Sequence, residues 1–368
     1  MNVCVLGGSH GGYATAADLA LAGHRVRLWR RSEKDLAPVR GSLTLTLAAE
    51  GRHGAARLDR ATTDAGEALD GAEMVVVPLP ATSHDDLAKE LAGHLTGREV
   101  VLLTPGTLGS LVLARALTRA GAPLPLAFAE TGTLPYLARK TGPAAVSAPV
   151  RAANLPVGVF PASRAAAALP RISALFPAAR PCVDALDAAL TNAGTVIHPP
   201  LVLVNAASID AGEFDIHAAG TTASARRLID AVDAERIAAR RGLGYPAPHY
   251  ELATYYDEAR AAEGLYGAGA RARVVASGLW REVVTYDHRY VGEDVALGLT
   301  LFESAGRTAG VPTPTVSGLL RVFGALLGRD LAGGRALDHL GLGDLTQREV
   351  RALFHEGWAS PAWSRVSR

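Results

Sequence analysis

Apolar residues in the first half of the chain come in short runs that alternate with helical stretches. Five such runs predict β-strands at Val3–Leu6, Arg25–Trp29, Met74–Val77, Val100–Leu103 and Leu126–Ala129. Strands that alternate with helices are typical of a doubly wound parallel sheet with helices on both faces. We therefore expect an α/β unit in this part of the chain.

The second half has a helical pattern instead. Apolar residues recur every three or four positions in Thr222–Arg241, Leu297–Ala309 and Thr315–Leu327. This spacing predicts amphipathic helices that bury one face. We predict two domains, an α/β nucleotide-binding domain over residues 1–190 and an all-α substrate domain over residues 191–368.

Composition narrows the class of partner. The 368 residues carry 37 Lys and Arg against 36 Asp and Glu, a net charge of +1, with both signs dispersed along the chain. No basic stripe indicates nucleic acid or a membrane surface, and no apolar run is long enough to span a bilayer. Cys4 and Cys182 are too few for a disulfide framework or a metal cluster. We expect a cytoplasmic protein without metal, signal peptide, nucleic acid or membrane contact, whose partner is a small metabolite.

A glycine-rich loop joins the first predicted strand to a predicted helix at Tyr13–Ala22. In a doubly wound sheet this loop binds the pyrophosphate of a dinucleotide, because glycine lets the backbone approach the phosphates closely. Ser9 replaces the usual middle glycine, but its small side chain can donate to the pyrophosphate. An ordinary strand–turn–helix unit is the alternative, in which His10 points to solvent. We assign to cofactor binding the residues Gly7, Gly8, Ser9, His10, Gly11, Gly12 and, after the third strand, Pro80.

The end of the second strand predicts which dinucleotide binds. Proteins that prefer NAD usually carry an acidic residue there, but this chain has Arg30, Arg31 and Ser32. Guanidinium groups bind phosphate through a planar pair of donors. We therefore predict NADPH in preference to NADH, with solvated surface arginines as the alternative.

His198 is the candidate acid–base residue. It lies where the predicted sheet gives way to helices, and no lysine follows Lys140, which excludes a lysine general acid in the second half. Histidine titrates near neutral pH and suits proton transfer during hydride chemistry. Arg289 and Asp294 form a second cluster, in which we expect Asp294 to orient His198 and Arg289 to bind a substrate carboxylate. The alternatives are a structural histidine and a local surface ion pair.

With these residues in view, the chain resembles the opine dehydrogenase family (octopine/nopaline dehydrogenase-like) over about residues 1–330. The motifs that carry the resemblance are Gly11-Gly12, Thr104-Pro105-Gly106, Glu130 to Tyr136, Asn192 to Pro199 with Asn205, Gly220-Thr221, Asp233 to Arg236, Arg289-Tyr290, Glu293-Asp294, Gly298-Leu299 and Gly310 to Pro314.

The resemblance implies a Rossmann-type domain followed by a helical substrate domain, and an NAD(P)H-dependent enzyme. Such an enzyme condenses a 2-oxo acid with the amine of an amino acid, and hydride reduces the imine. His198 and Asp294 would then be the catalytic dyad and Arg289 the carboxylate anchor. We expect Tyr136 and His217 to contact substrate, although a solvated loop position is equally open for His217.

Three functions stay open at this point. The first is reduction of an imine formed from a 2-oxo acid and an amine, with these two small molecules as partners. The second keeps the fold and dyad but reduces a preformed cyclic imine or a ketone. The third is a dinucleotide-binding redox sensor without catalysis. The oligomeric state is also open, with a homodimer as one alternative.

Overall fold

A central sheet organises the first half of the molecule. The computed structural model describes residues 1–212, 214–281, 284–331 and 333–368. Within these residues the strands are β1 (Asn2–Leu6), β2 (Arg25–Trp29), β3 (Thr44–Ala49), β4 (Arg52–Arg57), β5 (Arg60–Thr62), β6 (Met74–Val77), β7 (Val100–Leu103), β8 (Ala127–Thr131), β9 (Tyr136–Gly142), β10 (Ala145–Arg151), β11 (Leu155–Phe160) and β12 (Ala179–Pro181).

The central sheet has eight strands in the order β12-β11-β8-β7-β6-β1-β2-β5. The six strands from β8 to β5 run parallel, while β11 and β12 run in the opposite direction. Every residue of β6 and β7 is buried, as expected for central parallel strands covered by helices on both faces. The carboxyl ends of β1, β6 and β7 therefore meet at one edge, where such sheets bind ligands.

A second, four-stranded sheet has the order β4-β3-β10-β9 and packs against the helix that follows β1. Only β3 and β10 in it are parallel neighbours. The sequence analysis did not predict this sheet. Strand β4 has the sequence RHGAAR, whose polar and small residues lack an alternating apolar face.

The α-helices surround the central sheet and then build the second half. Within the described residues they are α1 (His10–Leu21), α2 (Glu33–Arg40), α3 (Ala65–Leu69), α4 (His84–Leu91), α5 (Gly109–Arg119), α6 (Ala165–Leu175), α7 (Ala185–Ala189), α8 (Ala193–Val204), α9 (Ala206–Ala211), α10 (Ala223–Gly242), α11 (Ala270–Ser277), α12 (Thr300–Ala309), α13 (Pro314–Leu327), α14 (Gln347–Glu356) and α15 (Trp363–Val366), and a π-helix spans Tyr290–Leu299.

Helix α10 packs at the centre of the helical half and forms hydrogen bonds with the segment that leaves the sheet. It packs against α8, α12 and α13. The buried Arg240 on α10 donates to the Asp187 carboxylate on α7 at 2.6 Å, and Arg236 donates to the carbonyl of Leu190 at 3.0 Å. These charge-assisted bonds lie at the point where the chain leaves the sheet, so they fix the direction in which the helical half begins.

The C-terminal segment returns to the first half. Phe160 on β11 makes edge contacts with Phe354 and Trp358, and its ring is tilted against Trp363. Residues that the sequence analysis assigned to the helical domain thus complete the core around the sheet. The predicted domain boundary at residue 190 stays a prediction.

Two predicted helix starts were wrong. Helix α1 begins at His10, not at Tyr13, because the Ser9 hydroxyl caps it by accepting from the Gly12 amide at 3.2 Å. The helix predicted from Leu297 continues a π-helix that already begins at Tyr290. The predicted strands at the second, third and fourth apolar runs match β2, β6 and β7 to the residue. Among the described residues no helix has the length and apolar character needed to cross a membrane.

Candidate active site

A cleft opens between the carboxyl edge of the sheet and the helical half. On the sheet side the predicted cofactor residues Ser9, His10, Gly11 and Pro80 line it. On the helical side it is lined by predicted site residues from three separate segments, together with Tyr136 of β9. These residues are Tyr136, His198, His217, Arg289 and Asp294.

The centre of the cleft holds a histidine–carboxylate pair. His198 on α8 and Asp294 on the π-helix are 96 residues apart, yet Nδ1 of His198 lies 2.7 Å from Oδ2 of Asp294. Both side chains are largely buried, with 13% and 6% exposure. The contact that the sequence analysis predicted is present. A carboxylate on Nδ1 fixes the ring orientation and directs the other ring nitrogen to proton transfer.

The His198–Asp294 contact depends on close packing of α8 against the π-helix. A Cβ atom on Gly194 would lie 2.8 Å from Oδ1 of Asp294, and one on Gly298 would lie 2.1 Å from the Thr195 hydroxyl. Glycine at both positions therefore lets α8 and the π-helix approach each other closely. π-Helical segments occur often at functional sites, and here one carries both Asp294 and Glu293.

Burial raises the pKa of both neighbouring carboxylates on the π-helix. Burial raises the pKa of Asp294 to about 7, while Arg289 and His288 oppose that rise. Burial and the Asp294 charge raise the pKa of the neighbouring Glu293 to about 7. An imidazolium at His198 stabilises the ionised form of Asp294 and is stabilised by it. An ionised Asp294 and a protonated His198 therefore stabilise each other, which suits a group that takes up and releases a proton.

Tyr290 is the residue that sequence reasoning missed beside the dyad. Its ring is stacked on the His198 ring, with centroids 3.6 Å apart. Its hydroxyl lies 2.9 Å from Nε2 of His217. The Tyr290 ring thus covers one face of the His198 imidazole and restricts its rotation. Tyr290 also contacts His217, whose ring lies 6.0 Å from that of His198. The sequence offered one clue, because Tyr290 directly follows the predicted Arg289.

Positive charge lies on the substrate side of the dyad. Arg289 precedes the π-helix, is exposed, and lines the cleft with its guanidinium carbon 5.3 Å from the Tyr290 ring. Arg139 and Arg271, which the sequence analysis did not select, line the same cleft. Arg139 lies 4.6 Å from the centre of the Trp280 ring. Guanidinium groups backed by aromatic rings suit the binding of carboxylates.

The glycine loop has the tight geometry that a dinucleotide site requires. Gly7 has a φ of +114°, a conformation that favours glycine. A Cβ atom on Gly12 would lie 2.1 Å from the Gly7 carbonyl oxygen, so any larger residue would push α1 away from β1. The Ser9 hydroxyl caps α1 and donates to the Pro78 carbonyl at 3.0 Å. The expected donation from Ser9 to the pyrophosphate stays a prediction.

Arg30 lies at the end of β2 and reaches back over the loop. It donates to the Gly8 carbonyl at 3.2 Å and forms an ion pair with Asp35 at 3.3 Å. Arg31 is exposed, and the Ser32 hydroxyl caps α2 by accepting from the Asp35 amide. Glu33, one residue out of register, pairs with Arg40. Sheets of this kind recognise the ribose of a dinucleotide at the end of the second strand. Here that strand end carries Arg30 and no carboxylate.

His10 and Tyr136, two further predicted site residues, both hydrogen-bond within the protein. His10 accepts a hydrogen bond from the Lys140 amide at its Nδ1, at 2.8 Å, which holds the loop to the second sheet. The Tyr136 hydroxyl donates to the Asp18 carboxylate at 2.7 Å, and Arg151 donates to the same carboxylate. The buried network occupies the Tyr136 hydroxyl while the ring lines the cleft, so the expected substrate contact of Tyr136 stays a prediction.

A buried arginine far along the chain holds the cofactor side of the cleft in place. Arg335 donates to the carbonyls of Ala81 and Thr107, at 2.8 and 3.1 Å. These carbonyls belong to the turns after β6 and β7. Glu293 of the π-helix accepts from the Ala81 amide at 2.8 Å. The helical half therefore positions the turns that face the dinucleotide site.

Known proteins resemble this whole arrangement. Residues 2–109 match the family model of the NAD-dependent glycerol-3-phosphate dehydrogenase N-terminus. Residues 181–327 match the model of the alpha-helical domain of NAD/NADP octopine/nopaline dehydrogenase. An opine dehydrogenase of Arthrobacter sp. (strain 1C) is 29% identical over 353 residues, which cover 95% of this chain and 97% of the relative. These matches support a place for the chain in the opine dehydrogenase-like family.

Solved opine dehydrogenases share the fold. The structure of octopine dehydrogenase in complex with NADH and agmatine superposes with a TM-score of 0.72 at 17% identity, covering 95% of this chain and 97% of that one. NADP⁺-bound yersinopine dehydrogenase superposes with a TM-score of 0.64 at 16% identity, covering 98% of each chain. The predicted order of a Rossmann-type sheet domain and a helical domain is confirmed. This opine dehydrogenase-like chain is an NAD(P)H-dependent oxidoreductase that acts on a CH–NH bond.

Replacement of Asp294 by asparagine tests the dyad. Loss of the negative charge disfavours the imidazolium form of His198 and weakens control of its tautomer, so we expect kcat to fall by roughly 100-fold or more. Because a lower pKa keeps the His198 imidazole neutral down to lower pH, the limb on which activity rises from acidic to neutral pH should move to lower pH. The measurement is the pH dependence of kcat from pH 5 to 9. The exposed Asp230 on α10 provides the control, Asp230→Asn. An unchanged profile for Asp294→Asn would show that the contact does not serve catalysis.

Proposed function

We propose that this protein joins a 2-oxo acid to the amino group of an amino acid and reduces the resulting imine with NADPH. The observation that carries the proposal is the His198–Asp294 pair, which faces the same cleft as the glycine loop and Arg289. Overall, a 2-oxo acid, an amino acid with its ammonium group, NADPH and one proton give a protonated secondary amine, NADP⁺ and water. The new secondary amine carries both carboxylates.

His198 performs the proton transfers of imine formation. The neutral imidazole accepts a proton from the ammonium group, which frees the amine to attack the ketone carbon. The same proton then passes to the hydroxyl of the carbinolamine, which leaves as water and creates the C=N bond. Asp294 stabilises the imidazolium between these two transfers. When bound, the reduced nicotinamide supplies the hydride that the imine carbon accepts.

The charges of the cleft match a product with two carboxylates. Arg289 stands next to the dyad, and Arg139 and Arg271 lie farther along the same lining. We assign the carboxylate of the 2-oxo acid to Arg289, because that group must be held within reach of His198 during dehydration. The remaining guanidinium groups are available to the amino acid's carboxylate.

The preference for NADPH rests on the end of β2. The acidic residue that usually accepts from the ribose hydroxyls is absent there, and Arg30 occupies the position with 17% of its side chain exposed. Gly7 and Gly12 provide the close backbone approach that the pyrophosphate requires. The residues present therefore fit a phosphorylated dinucleotide, with Arg30 holding its anionic group.

The assay that tests this function measures NADPH oxidation with a matrix of substrates. A panel of 2-oxo acids is supplied alone, with amino acids, and with primary amines of the same side chain that lack the carboxylate. We expect no oxidation with a 2-oxo acid alone, efficient oxidation with a 2-oxo acid and an amino acid, and a much higher KM when the decarboxylated amine replaces the amino acid. Turnover with one organic substrate would favour a cyclic imine or ketone reductase instead. Cofactor binding without turnover across the panel would favour the redox sensor.

Replacement of Arg289 by lysine tests the carboxylate anchor. Lysine keeps the charge but lacks the planar pair of donors, so we expect the KM for the 2-oxo acid to rise roughly tenfold or more, from the loss of about 1.5–3 kcal/mol in a charge-assisted bond. The dissociation constant for NADPH should stay unchanged. Arg227→Lys, at an exposed position on α10, is the matched control. A parallel rise in both constants, or in neither, would make Arg289 a structural residue.

A further inference from the structure

Lys140 lies beside the glycine loop without a carboxylate partner among the described residues. It belongs to β9 of the second sheet, and its ammonium nitrogen is 3.7 Å from the centre of the Tyr13 ring. Tyr13 is fully buried in the first turns of α1. The cation is therefore held on the face of a fixed aromatic ring, not left to move in solvent.

Arg30 approaches the same tyrosine. Its guanidinium carbon is 5.9 Å from the ring centre, and its Nη1 lies 3.4 Å from the Tyr13 hydroxyl. Lys140 and Arg30 thus both contact the Tyr13 ring. The nearby Asp35, which is 55% exposed, forms an ion pair with Arg30. Holding a second cation close to Arg30 costs electrostatic energy, which an anion bound between them would offset.

The backbone shows where this pair lies relative to the dinucleotide site. The Lys140 amide donates to Nδ1 of His10, the first residue of α1, at 2.8 Å. Arg30 donates to the carbonyl of Gly8 in the loop at 3.2 Å. The Lys140 backbone on β9 and the Arg30 side chain at the end of β2 are therefore both hydrogen-bonded to the segment that carries the glycine loop.

We propose that Lys140 and Arg30 together bind a phosphate group of the dinucleotide cofactor. The inference rests on the proposed use of a dinucleotide, and it adds Lys140 as a binding residue supplied by the second sheet. Two phosphate groups have the required chemistry, namely the 2′-phosphate of NADPH and the pyrophosphate that NADPH shares with NADH. A point charge on a flexible stem suits either group.

The electrostatics of Lys140 agree with an anion site. Burial, followed by the charge of Arg30, lowers the pKa of Lys140 to about 8, while Asp35 acts in the opposite direction. On α1, the Tyr13 ring lies beside the ammonium group, and His10 accepts from the Lys140 backbone amide. Bound phosphate favours the charged ammonium form, so cofactor affinity should decline as the pH rises through 8 and the free lysine loses its proton.

The experiment measures dissociation constants of NADPH and NADH by titration calorimetry, without any organic substrate. Lys140→Met removes the charge, Lys140→Arg keeps it, and Lys89→Met removes an exposed lysine on α4 as the matched control. We expect Lys140→Met to weaken NADPH binding roughly tenfold or more, as the loss of a charge-assisted contact predicts. Lys140→Arg should recover most of this loss, and Lys89→Met should bind normally.

The two cofactors distinguish the two phosphates. Weaker binding of NADPH alone identifies the 2′-phosphate, and an equal loss for both cofactors identifies the pyrophosphate. In the wild type, NADPH binding should weaken several-fold between pH 7 and pH 9, and this dependence should flatten in Lys140→Met. Unchanged constants for both cofactors in a folded Lys140→Met protein would overturn the proposal. Since no substrate is present, failure of the imine chemistry leaves this result intact.

Discussion

The approach of α8 to the π-helix is the constraint on which the site depends. It brings Nδ1 of His198 to within 2.7 Å of Asp294, and it requires glycine at 194 and 298, where a Cβ atom would collide with the neighbouring helix. Tyr290 then covers one face of the imidazole. The His198 imidazole is thus oriented by the Asp294 carboxylate and the Tyr290 ring, both carried on a helix.

The same π-helix also reaches the nucleotide side. Glu293, next to Asp294, accepts from the Ala81 amide, while Arg335 holds the Ala81 and Thr107 carbonyls. The turns that follow β6 and β7 are therefore fixed by residues from the helical half. Under the proposed function, this coupling would keep a dinucleotide on the sheet and His198 on α8 in one geometry, which is what catalysis by positioning requires.

Local patterns predicted much of this arrangement, and contacts distant in sequence account for the rest. Strands such as Met74–Val77 could be predicted because their burial on both faces leaves an uninterrupted apolar run. His198 and Asp294 could be predicted from their residue types and from the resemblance to the opine dehydrogenase family. Lys140 and Arg335 escaped notice because their roles depend on partners 130 and 228 residues away, His10 and Thr107. The second sheet was missed because β4 lacks an alternating apolar pattern.

The central claim is that the cleft reduces a C=N bond made from two substrates. The most direct measurement uses NADPH carrying deuterium at the transferable position of the nicotinamide, with a 2-oxo acid and an amino acid supplied together. The account predicts one deuterium in a secondary amine, on the carbon that was the ketone of the 2-oxo acid. Deuterium recovered in a 2-hydroxy acid, with the amino acid unchanged, would contradict it.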